Sequence, residues 1–169
     1  MKKLLYIFSL ALLLAGCNSV KKNQRLLAQG NYEQAIELAV KKLQKNTSSK
    51  KKDGHITVLE KAFQKNVAKD TRRISFLEKQ GNASGAKEIY YTYQNLAYIQ
   101  DKIRPLLPIY SNTLKRDAEF TLKDYSSKIL DAKKAYIAYL YDEAGLYMQY
   151  QTRKDYRTAY NIYCELEDV

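Results

Sequence analysis

The sequence predicts an all-α fold, a short irregular superhelix of antiparallel helix pairs preceded by a leader segment. Three observations predict it. Apolar residues recur at three- and four-residue steps along most of the chain, the period of one helix face. Only two prolines and six glycines interrupt 169 residues, so helix breakers are scarce. No convincing strand alternation is present outside one short stretch near residues 119–122.

The leader comes first. Met1-Lys2-Lys3 is a short positive start, and Leu4 to Ala15 carries no charge. An apolar run of about a dozen residues suits a signal peptide and is too short to span a bilayer. Leu14-Ala15-Gly16-Cys17 follows. This box resembles the lipobox of bacterial lipoproteins, in which a small residue precedes a cysteine. The resemblance implies cleavage after Gly16, removal of residues 1–16, and a diacylglycerol joined to the Cys17 thiol through a thioether. Two or three acyl chains, at about 0.8 kcal/mol per buried methylene, hold a protein firmly on a membrane, whereas one is marginal. Cofactors are not expected beyond this covalent acyl lipid. Asn18 stands where an aspartate favours inner-membrane retention, and Lys21 and Lys22 follow in place of an acidic export stretch. Together these imply a lipid-anchored envelope protein at the outer membrane, facing the periplasm.

Residues 17–24 then read as the lipidated N-terminus and tether, and 25–169 as one helical-repeat domain. Val20 to Gln29 predicts a short helix, closed by a turn at Gly30-Asn31. Tyr32 to Leu43 predicts a second, with Ala35, Ile36, Ala39 and Leu43 in register. Asn46 to Gly54 reads as a polar, lysine-rich loop. A long helix is expected from His55 to Lys79, with a break at Asp70-Thr71, and then a turn at Gly81-Asn82. Ala83 to Ile103 is helical until Pro105 and Pro108 end it. Residues 105–124 leave open a short helix, a loop, or an extended piece at 119–122. Ser126 to Gln151 predicts a long helix, 152–155 a turn, and Tyr156 to Glu167 the last helix.

Three of these turns are alike. Gly30-Asn31-Tyr32 precedes Ala35, Gly81-Asn82-Ala83 precedes Ala86, and Lys154-Asp155-Tyr156 precedes Ala159. The pattern resembles the middle of a tetratricopeptide repeat, where glycine permits a left-handed helix cap and alanine permits close helix approach. The spacing is unequal, against roughly 34 residues in a regular array. The resemblance therefore implies an irregular array, used as a non-catalytic scaffold or adaptor that binds other envelope proteins. Nothing polar caps the final helix, so the array is expected to continue, or its apolar face to dock on a partner or on another copy.

The chain carries 29 Lys+Arg against 18 Asp+Glu, a formal charge of +11. Charge of this size bears on partners and solubility rather than fold. Lys41, Lys42, Lys45, Lys50, Lys51 and Lys52 follow one another with no acid among them until Asp53, and they suit a solvated loop or contact with an anionic surface, polymer or glycan. Nucleic acid is excluded as a partner, because the anchor sends the chain away from it. Tyrosine is unusually frequent, with 16 residues against 4 Phe and no Trp. Adjacent tyrosines lie about 100° apart on a helix, so some must be exposed. Tyr91, Tyr98, Tyr139 and Tyr150 are the candidate partner surface, since exposed tyrosine is enriched at interfaces.

Catalytic and metal signatures are absent. His55 is the sole histidine and reads as an exposed residue at a helix start. One histidine with no cysteine cluster makes no zinc site. Cys164 has no partner once Cys17 is lipidated, and reads as a buried apolar side chain. The acidic pairs Asp142-Glu143 and Glu165, Glu167 with Asp168 read as solvated faces. No enzyme is expected.

Overall fold

The computed structural model describes residues 19–45 and 49–169. The leader 1–16 with its cleavage position Gly16, the lipidation site Cys17, Asn18 and residues 46–48 lie outside the described residues, as does the side chain of Lys50. Helix α1 covers residues 19–28. Helices α2 (Tyr32–Leu43), α3 (Ser49–Gln80), α4 (Ala86–Ile103), α5 (Ser126–Gln149) and α6 (Arg153–Glu167) follow. A two-stranded antiparallel hairpin, β1 (Tyr110–Ser111) with β2 (Arg116–Asp117), lies between α4 and α5. The chain divides into two compact units, one of residues up to Lys69 with Ile99–Leu122, the other of Asp70–Tyr98 with Lys123–Val169.

In the first unit α1 turns into α2 through Gly30, whose φ of 80° is the left-handed conformation that glycine adopts without cost. The apolar stripe read from the sequence is the buried face of α2: Ala35, Ile36, Ala39, Val40 and Leu43. It packs with Ile56, Leu59 and Phe63 of α3, Ile99 and Ile103 of α4, and Ile109 and Ala118 of the hairpin. Phe120 sets its ring edge-on to Phe63 at 5.5 Å.

The loop expected at 46–54 is overturned from residue 49 onward. Helix α3 starts at Ser49, so Lys51, Lys52, Asp53 and Gly54 are helical. It also runs unbroken through Asp70-Thr71. Tertiary contacts override the poor local propensity here. Asp53 is buried and accepts a hydrogen bond from Ser111 Oγ at 2.9 Å and from Thr113 N at 2.9 Å, as well as one from the Thr113 hydroxyl. Two helix turns further, buried Glu60 accepts from Arg116 Nη1 and from Glu119 N, both at 2.8 Å. These two carboxylates hold the hairpin whose existence the sequence did not disclose. Its strands are two residues long, too short to show alternation.

The helix predicted from Val20 to Gln29 is present, running over residues 19–28 and so into the stretch 17–24 also read as tether, and its Asn23 is fully buried. Gly54 explains the close approach. A Cβ built there would lie 2.8 Å from Val20 Cγ1, so α1 crosses α3 where α3 has no side chain.

In the second unit Ala132, Tyr136, Leu140 and Ala144 of α5 pack with Ala159 and Ile162 of α6 and with Ala86 and Tyr90 of α4. The turn into α4 is as expected: Gly81 has φ 62° and the Asn82 side chain caps the short 3-10 turn Ala83–Gly85. The third turn is displaced. Lys154 and Asp155, expected as the turn, lie in the first turn of α6, and Thr152 is its N-cap, accepting from Asp155 N at 3.2 Å. A threonine cap and an acid in the first turn are both favourable there. The bend itself falls on Gln151, which takes a φ of 55° without being glycine.

Replacing Gly54 by leucine is expected to dislodge α1. The cost should be about 1–3 kcal/mol, as for overpacking, read as a lower urea midpoint for Gly54→Leu. An unchanged midpoint would show that Val20 is not seated on this residue.

Candidate functional site

Three features distinguish the end of the first unit from which the chain leads to Cys17. The first is a buried polar contact between α1 and α3. His55 has no exposed surface, which corrects the expectation of an exposed residue. Asn23 Nδ2 donates to His55 Nδ1 at 3.2 Å. Nε2 lies 3.5 Å from Ser19 Oγ. A serine, a histidine and an asparagine thus stand in line around a ring that has no exposed surface. As arranged, the trio joins two helices. Burial pushes the His55 imidazole below its ordinary 6.5, and the Lys42 charge adds to this.

The second feature is the placement of the lysines. Lys41 and Lys45 are exposed and Lys42 half-buried at the end of α2, where cations complement the helix dipole. Lys51 and Lys52 stand at the opposite kind of end. They lie at the start of α3, whose first turn holds no acid, so the dipole opposes them. Asp53 supplies no compensation outward, because its carboxylate faces Ser111 and Thr113. Burial opposes its ionisation, but the hydrogen bonds from Thr113 and Ser111 prevail and hold its carboxyl below 3.8. Exposed Lys21, Lys22 and Arg25 of α1 extend the basic character.

The third feature is proximity to the anchor. Cys17 precedes Ser19 by two residues, so their Cα atoms are at most about 7–8 Å apart, at 3.8 Å per step. The lipid attachment residue is therefore within two residues of Ser19, which meets His55.

In the second unit the four candidate tyrosines have different fates. Tyr91 is 47% exposed while stacking on Tyr90, Tyr98 is 50% exposed, and Tyr150 is 66% exposed. Tyr139 is half-buried against the core of that unit. Burial raises its phenol, and a hydrogen bond with Glu143 adds to the rise. Tyr141, Tyr156, Tyr160 and Tyr163 are also exposed, and Tyr163 meets Tyr141 edge-on at 6.2 Å. A count of helix turns from Ala159 and Ile162 places Tyr160 on the outer face of α6, but sets Tyr156 and Tyr163, three and four residues from Ala159, on the flank of the buried face. Cys164 is half-buried rather than buried, in hydrogen-bond contact with Tyr160.

Fully buried Tyr136 donates its hydroxyl to Glu165, which also pairs with Lys87. Burial, then the bond to Glu165, pushes the Tyr136 phenol up to about 12, which keeps it a donor. Glu165 is thus a clamp between α4, α5 and α6 rather than a solvated acid. Among the described residues no three of His, Cys, Asp and Glu converge as a metal site, and no helix is long and apolar enough to cross a membrane.

Residues 1–18 match the family model described as the prokaryotic membrane lipoprotein lipid attachment site. No curated protein and no solved structure matches the chain. The protein is a lipid-anchored lipoprotein of the bacterial envelope, with the covalent lipid on the cysteine of that site.

The buried histidine predicts a pH effect. A base whose folded value is lowered binds protons mainly when unfolded, so its stabilisation is fully present above 6.5 and is lost as pH falls toward the folded value. The urea midpoint should therefore fall between pH 7.5 and pH 5.5, and the fall should be smaller in His55→Gln. Equal falls in both proteins would contradict a neutral, buried His55.

Proposed function

We propose that this lipoprotein is a non-catalytic adaptor that holds other envelope proteins at the membrane. It would do so with helical hairpins of tetratricopeptide character. The observation that carries the reading is the concentration of exposed large apolar side chains on α5 and α6. Leu130, Tyr141, Leu146 and Met148 on α5 and Tyr156, Tyr160 and Tyr163 on α6 are all open to solvent. Scattered exposed apolar residues are ordinary, but a concentration rich in tyrosine suits protein contact. The positive φ of Gly30 and of Gly81 supports the repeat resemblance at two of its three turns. The non-catalytic part is supported by His55, the single histidine, whose ring is fully buried between α1 and α3. An outer-membrane position facing the periplasm remains part of the proposal, on the strength of Asn18.

A second reading is favoured by the lysines alone. Cations opposed by a helix dipole cost stability, and recognition of an anionic envelope polymer or glycan would give them a purpose. The two readings differ in salt dependence, because contacts between exposed charges are screened while apolar docking is not.

Pull-down from solubilised envelope with the full-length lipidated protein tests the adaptor. It should recover one or a few proteins, stable to moderate salt and lost with the Cys17→Ala form. Recovery of anionic polymer alone, released by salt, would replace the adaptor with the second reading.

A further inference from the structure

The lysine end of the first unit lies close to the lipid anchor along the chain. Helix α1 begins two residues after Cys17. It cannot swing freely, because Val20 fills the space over Gly54 and Asn23 is hydrogen-bonded to His55 inside the protein. Lys42 is close enough to His55 to act on its titration. Lys51 and Lys52 immediately precede Asp53, Gly54 and His55 on α3. Lys41 belongs to the same last turn of α2 as Lys42. Only two residue steps separate Cys17 from Ser19, and Ser19 lies against His55, so the acyl chains hold this end of the first unit near the headgroups.

We propose that Lys41, Lys51 and Lys52 seat the first unit on the anionic headgroups of the membrane that holds its lipid. One observation favours a bilayer over a soluble polymer, and two more leave the lysine charge available to it. The anchor delivers this surface to headgroups at high effective concentration, whereas a polymer must be captured. None of the three lysines has an ion-pair partner among the described residues, so their charge is available. The nearest acid, Asp53, is turned inward and does not neutralise them. Lysines near an anionic surface gain attraction that decays within a Debye length, about 8 Å at physiological salt. Only lysines beside the anchor profit from it. The inference rests on the lipid anchor and not on the adaptor reading, so either can fail alone.

Amine footprinting tests it. The full-length lipidated protein is placed in vesicles of neutral phosphatidylcholine, or of the same lipid with one-third phosphatidylglycerol. It is then labelled with an amine-reactive ester and mapped by mass spectrometry. Labelling of Lys41, Lys51 and Lys52 should drop roughly threefold to fivefold in anionic vesicles. It should return in high salt, while exposed Lys65, about 20 Å further along α3 at 1.5 Å per residue, stays unchanged. Equal labelling of the three lysines in both vesicles would overturn the proposal. A drop seen only when soluble polyglutamate is added to the neutral vesicles would assign the surface to a polymer and overturn it as well. His55→Ala, which loosens α1, should weaken the protection without removing any lysine, and protection as strong as in the parent would overturn the role of the fixed helix.

Discussion

Three consecutive residues organise the first unit: Asp53, Gly54 and His55. Neighbours on a helix point about 100° apart, so each can address a different element. Asp53 reaches the hairpin through Ser111 and Thr113. Gly54 receives Val20 of α1. His55 bonds Asn23 of the same helix. Without this triplet the start of α3 would be a lysine-rich segment with no reason to be helical. With it, α3 extends back to Ser49, and α1 and the hairpin have a place to rest.

The second unit solves the same problem with one carboxylate. Glu165 receives the Tyr136 hydroxyl and the Lys87 ammonium, and so ties α6 to α5 and α4. Lys87 also lies over the Tyr136 ring, 5.9 Å from its centroid. The tyrosine is fully buried yet keeps a hydrogen-bond partner, which a buried hydroxyl requires.

The sequence disclosed what depends on local period and missed what depends on distant partners. Helix α2 was legible from end to end, because its apolar stripe faces one core. The turns at Gly30 and Gly81 were legible because left-handed backbone selects glycine. The lipid site was legible because a processing enzyme must itself read it from linear sequence, and the family comparison agrees. Asp53 and His55 were misread, since a polar residue among lysines looks solvated unless its partner is known. Asp53 meets Ser111 and Thr113, and His55 meets Asn23, all far along the chain. The third turn was misplaced by three residues because Gln151 took the left-handed position in place of a glycine. Of the four candidate tyrosines, Tyr91, Tyr98 and Tyr150 are open to solvent while Tyr139 is packed, a split that spacing alone cannot make.

The functional account has one structural hinge: α1 is part of the folded body, so the lipid and the lysine-bearing surface move as one. Amide hydrogen exchange across residues 19–28 of the lipidated protein tests this most directly. If α1 is seated on Gly54 and His55, its amides should exchange as slowly as those of α2. If they exchange at the rate of an unstructured tether while α2 stays protected, the anchor is flexible and the account fails.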